Sequence, residues 1–265
     1  MPIFNLLLFS LMGVYGFIIV WLVYGNLKSS NKSNKNLHSV SIIIAIRNGG
    51  ETLPALIYDL SHQNYSGSFE VILVDDNSTD DTQGIIKKAI KNNTNFKYQS
   101  SQNGDSSLSF KKRALDAGIK ISQNEWLLFT DADCRLSKTW LEGMVSYFHP
   151  ETDYVLGYSK IEKNNGILNM FESIDFLLLL TSALGAANNS LPLACTGQNQ
   201  AYRKSLFNKV NGFNYIHHCI QGDDSLFMNI CKRIGKANVV FANNKKCHVS
   251  VKGEKSWLAL FKQRL

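Results

Sequence analysis

Trp126-Leu127-Leu128-Phe129-Thr130-Asp131-Ala132-Asp133 carries four large apolar residues straight into two acids separated by one small residue. An apolar run this short and dense predicts a strand buried on both faces, as in parallel sheets. Alternate side chains of an extended chain point the same way, so Asp131 and Asp133 are expected to face one spot. Carboxylates held that close repel, and one pKa is expected to rise unless a cation sits between them. An oxygen-only pair suits a hard divalent ion such as Mg2+ or Mn2+. Taken alone, the pair reads more readily as a strand ending in a solvated, Asp-rich turn, because short motifs recur by chance.

Upstream, the same pattern repeats. Residues 40–46 form a buried-strand signal that ends at Arg47-Asn48-Gly49-Gly50. Residues 51–63 place Leu53, Leu56, Ile57 and Leu60 on one helical face. A second strand over 69–74 ends in Asp75-Asp76-Asn77-Ser78, and Ser78 or Thr79 is predicted to cap a helix through Lys91, with Asp80 and Asp81 in its first turn. A weaker strand at 96–99, a polar loop at 100–109 and a helix at 111–121 lead into the opening stretch. Strands alternating with helices predict an α/β fold with a mostly parallel sheet flanked by helices. Such sheets bind ligands beyond the carboxyl ends of their strands. Arg47, Asp75, Asp76, Asp131 and Asp133 all fall at those ends, and their agreement weighs more than any one motif.

Downstream the pattern loosens. We expect a helix over 138–148, a strand over 154–159, and a short strand and turn at Leu193-Ala194-Cys195-Thr196-Gly197. A helix over 203–210 stops at Asn211-Gly212. Gly222-Asp223-Asp224 opens another, with Leu226, Phe227 and Ile230 on its inner face, before a late strand at 237–241. Residues 167–187 are apolar enough to suggest a membrane span. Glu172 and Asp175 argue against one, since each is costly at the bilayer centre. That helix reads as membrane-surface or as core.

The 265 residues are 45% hydrophobic and 18% charged, which allows a sizeable core and excludes global disorder. The formal net charge of +7 favours anionic partners. No dense basic block interleaved with aromatics is present, so nucleic acid is not an expected partner. Ile3 to Tyr24 are almost wholly apolar, enough for a helix of about 33 Å at ~1.5 Å per residue. Nothing basic precedes Ile3, and Trp21-Leu22-Val23-Tyr24 is a poor cleavage site, so an uncleaved anchor is preferred over a signal peptide. Lys28, Lys32 and Lys35 follow, which by the positive-inside rule places the remainder in the cytoplasm. The expected organisation is an anchor at 1–25, a linker at 26–38 and one domain at 39–265. Cys134, Cys195, Cys219, Cys231 and Cys247 lack paired metal-ligand spacing and are expected as free thiols.

With these pieces in order, residues 39–265 resemble the family 2 glycosyltransferases, which have the GT-A (Rossmann-like) nucleotide-sugar-binding fold. Residues 41–48 resemble the family's first strand and turn, and residues 71–82 its second. Residues 111–118 resemble its lysine-containing helix start, and residues 130–133 its DxD motif. Residues 196–203 resemble its acceptor-side segment, and Gly222-Asp223-Asp224 its acid pair. The resemblance implies donor contacts from Ala45, Arg47, Asp75, Asp76, Lys111, Asp131 and Asp133. It implies a divalent metal (Mg2+ or Mn2+) at Asp131 and Asp133, with Asp133 the more direct ligand. Gly197, Gln198, Asn199, Gln263 and Arg264 would lie on the acceptor side. Asp224 would be the general base, with Asp223 standing where the family usually has Glu. His248 reads as a packed or surface histidine before it reads as a further metal ligand.

The activity this implies is inverting, metal-dependent transfer of a sugar from a nucleotide-sugar, a UDP-sugar by preference. The acceptor would be lipid-linked or polysaccharide, at the cytoplasmic face of a bacterial inner or plasma membrane. Gln263-Arg264-Leu265 resembles the approach to a Q-x-x-R-W motif but stops before an Arg-Trp pair, so a truncated carboxyl end is expected. Two alternatives stay open. A sugar nucleotidyltransferase would need a longer, more basic phosphate loop than Arg47-Asn48-Gly49-Gly50. A catalytically silent, membrane-tethered binding module would not need its three acids, Asp131, Asp133 and Asp224.

Overall fold

The computed structural model describes residues 2–28, 36–220 and 222–264; the side chains of Pro2, Gln263 and Arg264 lie outside the description. The strands in chain order are β1 (Val40–Ile46), β2 (Phe69–Asp75), β3 (Phe96–Ser100), β4 (Trp126–Phe129), β5 (Arg135–Leu136), β6 (Tyr154–Gly157), β7 (Ser159–Ile161), β8 (Gln200–Arg203), β9 (Val239–Ala242) and β10 (Val249–Val251). The helices are α1 (Pro2–Leu27), α2 (Leu53–Ser61), α3 (Thr82–Asn92), α4 (Phe110–Ile121), α5 (Trp140–Val145), α6 (Ile167–Asn188), α7 (Lys204–Lys209), α8 (Ser225–Arg233) and α9 (Trp257–Arg264).

β1 organises the sheet. Its alternate side chains feed two cores: Ile42, Ile44 and Ile46 meet Leu53, Leu56 and Ile86 on one face, and Ile43 meets Ala114, Leu115 and Ala117 on the other. Burial on both faces is why this strand is apolar at every position but Ser41. β2 and β4 flank it, both parallel, with Val40 opposite Phe69 and Trp126. The full order is β3-β2-β1-β4-β8-β6-β9. Strand order reverses between β1 and β4, which opens the ligand crevice at their carboxyl ends. At the opposite end, buried Glu70 accepts from Ser41 Oγ (2.5 Å), Lys97 Nζ (2.6 Å) and the Gln123 N–H (2.7 Å).

Several boundaries differ from the sequence-based expectations. The strand expected at 193–197 lies at Gln200–Arg203 instead, where β8 runs antiparallel between β4 and β6. Ala201 and Tyr202 alone supply its apolar signal, while Gln200 is polar yet buried. The strand expected at 154–159 is two strands in different sheets, β6 and β7; β7 joins a three-stranded sheet of order β5-β10-β7. Neither Ser78 nor Thr79 caps α3: Asp81 holds the cap position without a side-chain bond, and Asp80, one residue earlier, accepts the Thr82 N–H (3.1 Å) and Thr82 Oγ1 (2.5 Å) at its Oδ1. On α8 the inward residues are Phe227, Met228 and Cys231, and Leu226 is exposed.

α1 and α6 are both long and apolar enough to cross a membrane, with mean hydropathy 2.5 and 1.6. They cross at a contact of small residues. A Cβ on Gly25 would collide with the Gly185 carbonyl oxygen. Around it Asn26 Nδ2 donates to Thr181 O (3.1 Å), Asn188 Nδ2 to Gly25 O (3.0 Å) and Asn189 Nδ2 to Trp21 O (2.6 Å). Of these acceptors only Gly25 O lies in the last turn of a helix; Thr181 O and Trp21 O are inside theirs, so the amides add bonds between the two helices. α6 divides along its length: Leu180, Ala183, Leu184 and Ala187 are buried, whereas Ile167, Met170, Ile174 and Leu178 are exposed. Glu172 is buried and accepts the Glu254 N–H at 3.0 Å, so this acid faces protein.

Candidate active site

The turn after β4 carries Asp131 and Asp133. The Cys134 N–H donates to Asp131 O (3.2 Å), closing the turn. Arg135 next reaches back to α2, donating from Nε (2.7 Å) and an Nη (2.9 Å) to the buried Asp59 carboxylate. Asp59 also accepts the Leu136 N–H at 3.0 Å. This two-pronged pair fixes the segment that leaves the acids. Asp59 escaped sequence reading because its partner lies far along the chain.

α4 opens toward the same place. Phe110 adopts φ 52°, and the turn aims Lys111 into the crevice. Lys111 Nζ lies 2.7 Å from Asp131 Oδ1 and 3.3 Å from Asp223 Oδ2. Burial opposes its charge, but the Asp131 and Asp223 carboxylates prevail and hold the ammonium above the usual lysine range. Lys112, the next residue, is buried and donates to the Cys219 carbonyl. Gly197 closes over the ion pair: a Cβ there would stand 3.1 Å from Lys111 Nζ and 3.4 Å from Asp223 Oδ2.

Asp224 caps α8, accepting the Ser225 N–H at 2.5 Å. Burial, together with the neighbouring Asp223 charge, pushes its carboxyl above the usual range despite that hydrogen bond. Ser225 Oγ donates to Cys195 O (3.1 Å) and accepts the Cys195 N–H (3.0 Å), stapling the 195–197 loop to the start of α8. Asp133 is exposed at the crevice; partial shielding from water and then the Asp131 charge raise its carboxyl as well.

The remaining sequence candidates separate into two groups. Ala45 and Asp76 are partly buried at the strand ends, and Arg47 is exposed there. Asp75 is buried, accepting from the Ser78 N–H (3.1 Å) and Gln83 Nε2 (2.8 Å); it shapes the loop and leaves Asp76 as the available carboxylate. Asn199 is likewise occupied inside the fold. Its Oδ1 accepts from Trp140 Nε1 (3.0 Å), and its Nδ2 donates to Tyr158 O and Cys247 O (both 2.9 Å). Gln198 stays partly exposed beside Asp133. His248 packs on the Tyr158 ring at 4.5 Å. Gln263 and Arg264 end α9, with side chains outside the described residues.

Among the described residues no three His, Cys, Asp or Glu side chains stand together as a ready metal cluster. The acid pair still fits a hard divalent cation that draws its other ligands from a diphosphate. It offers oxygen donors only, and Asp133 carries charge that Lys111 does not neutralise directly.

The family model described as Glycosyl transferase family 2 matches residues 41–210. The chain belongs to glycosyl transferase family 2. A poly-beta-1,6-N-acetyl-D-glucosamine synthase of Staphylococcus epidermidis is 25% identical to it over 195 residues, 73% of this chain and 45% of that one. The poly(ribitol-phosphate) beta-N-acetylglucosaminyltransferase TarP of Staphylococcus aureus strain N315 is 30% identical over 130 residues, 48% of this chain and 38% of that one. The family 2 chain thus spans about half the length, or less, of these curated relatives. Among solved structures, a mannosyltransferase from Pyrobaculum calidifontis in complex with GDP-Man and Mn2+ matches with TM-score 0.69 and 16% identity, over 94% of this chain and 68% of that one. Staphylococcus aureus TarS in complex with UDP-GlcNAc matches with TM-score 0.56 and 21% identity, over 82% of this chain and 59% of that one. These structural likenesses show the GT-A fold.

Proposed function

We propose that this chain transfers a sugar from a nucleotide-sugar to a glycan or lipid-linked acceptor, with inversion at the anomeric carbon, beside a membrane that α1 enters. The observation that carries the reading is the Lys111 bridge. One ammonium lies against Asp131 of the DxD turn and Asp223 of the acid pair, so donor-side and acceptor-side groups form a single cluster.

Each residue then has a task. Asp76 and Arg47 stand where a nucleoside would bind, at the ends of β2 and β1. Lys111 is a compact positive charge for a diphosphate, and donor binding would draw it from Asp131. Asp133 and Asp131 would hold a divalent cation, whose contribution when bound is to neutralise charge developing on the leaving diphosphate. Asp223, paired with Lys111, positions that lysine. Asp224, its carboxyl raised by burial, takes the proton from the acceptor hydroxyl. The oxygen so freed bonds to the anomeric carbon as the bond from that carbon to the phosphate oxygen breaks. Nucleoside diphosphate departs from the opposite face, which inverts the centre.

UDP-GlcNAc is the first donor to test, given the relatives named above. Calorimetry with UDP and Mn2+ should register binding to the wild-type chain and at least a tenfold loss, about 1.4 kcal/mol, in Asp133→Ala. Unaltered affinity in that variant would remove the donor-site assignment.

A further inference from the structure

α2 meets the candidate site at both of its ends. Its first turn follows residues 47–50, the loop at the carboxyl end of β1. A Cβ on Gly49 would lie 3.8 Å from the Ala132 Cβ, so that loop packs against the middle of the acid turn. Its last turn holds the segment that leaves the acid turn. Asp59 takes both prongs of Arg135 and the Leu136 N–H. Just past the helix, Gln63 Nε2 donates to Ser137 O (2.8 Å) and Gln63 Oε1 accepts the Leu141 N–H (2.9 Å). The Asn64 N–H donates to Lys138 O at 2.7 Å. One helix end thus grips residues 135–141 through side chains and backbone together.

None of these groups enters the chemistry above, yet they bear on Asp133. Among the described residues, the only other side chain bonded to its carboxylate is Cys134, whose Sγ lies at a long 3.9 Å. Lys111 is committed to Asp131 and Asp223. Where Asp133 presents its oxygens is therefore set by its backbone. Only Cys134 separates it from Arg135, and Cys134 is buried with its N–H on Asp131 O. The anchor on the far side is the fork itself. Two parallel N–H···O bonds fix direction as well as distance, which a single point charge does not. The Asp59 side chain is 7% exposed and that of Arg135 47%, so the carboxylate is the buried anchor and the guanidinium is reachable from solvent.

We propose that Asp59 and Arg135 are positioning residues for a divalent cation at the acid turn. Their fork fixes the backbone from which Asp133 reaches a cation–diphosphate and leaves nucleoside recognition alone. The proposal rests on the donor-site reading and deepens it. Arg47 and Asp76, the nucleoside-side groups, stand at the ends of β1 and β2, whereas the fork joins α2 to β5.

The experiment uses the full chain in detergent and two probes: UDP with Mn2+, followed by calorimetry, and uridine alone, followed by saturation-transfer NMR. Arg135→Lys keeps the charge and gives up the fork. Its dissociation constant for UDP with Mn2+ should rise at least about tenfold, while that for uridine stays within about twofold. Asp59→Asn, which keeps the shape and removes the charge, should behave in the same way. In Arg135→Ala, added methylguanidinium should recover most of the lost affinity for UDP with Mn2+, because it can refill the exposed half of the pair. Unchanged affinity for UDP with Mn2+ in both Arg135→Lys and Asp59→Asn overturns the proposal. So does an equal loss of uridine binding, or a loss in Arg135→Ala that methylguanidinium leaves untouched, since each makes the pair a structural brace only. A wild-type chain that binds UDP equally well in Mn2+ and in EDTA overturns it too. Failure of the donor-site reading itself looks different: the wild-type chain then binds neither UDP nor uridine.

Discussion

At the residue scale, Asp224 illustrates a conflict between stability and chemistry. Its carboxyl is raised by burial and by Asp223, so folding favours the protonated form. Its contribution to stability is therefore full below the unfolded carboxylate pKa and is lost as pH rises through the higher folded value. Asn keeps the helix cap without the charge. Asp224→Asn should accordingly raise the melting temperature at neutral pH by roughly 2–4 °C, the equivalent of about 1 kcal/mol, and the gain should disappear in acid. The same substitution should lower transfer at least about a hundredfold, since it removes the base. In the wild-type chain, the rate should rise with pH through that raised pKa. Paired thermal melts and rate–pH profiles check all of this, and a destabilised, active D224N would contradict it. Asp75, Asp76, Asp131 and Asp133 were legible because they end apolar strands, and Asp223 and Asp224 because they open a helix after Gly222. Asn199 was not. Its motif neighbourhood suggested an acceptor contact, but its three partners are Trp140, Tyr158 and Cys247, and no local pattern reveals such distant pairings.

At the scale of elements, long apolar runs were the readable part. β1, β2 and β4 announce themselves because they are buried on both faces. β8 does not, being a four-residue antiparallel insert with two polar ends, and its position depends on pairing with β4 and β6. The α1–α6 crossing is also tertiary information: neither Gly25 nor Gly185 stands out in sequence, yet each is the close-approach point for the other helix. Gly185→Val would push a side chain toward Leu22 O and Asn26 Nδ2. Overpacking of this kind costs about 1–3 kcal/mol, so the melting temperature in detergent should fall by roughly 4 °C. Donor affinity should stay within about twofold, because no donor-side residue touches the crossing. An unchanged melt would mean that the two helices do not meet there.

At the scale of the whole molecule, the fold sets acids from β4 and from the start of α8 around one lysine from α4, at the edge where strand order reverses. The DxD stretch that reads alone as a solvated turn becomes one wall of a charged cluster. The turn after β4 and the starts of α4 and α8 thus meet at Asp131, Lys111 and Asp223. In the proposed reaction Asp224 acts on the face opposite the leaving diphosphate, and a single displacement of that kind inverts the anomeric centre. The most direct test is the anomeric configuration of the first product formed from UDP-GlcNAc, followed by proton NMR as it appears. The account predicts the configuration opposite to that of the sugar in the donor. A product that retains the donor's configuration would contradict it.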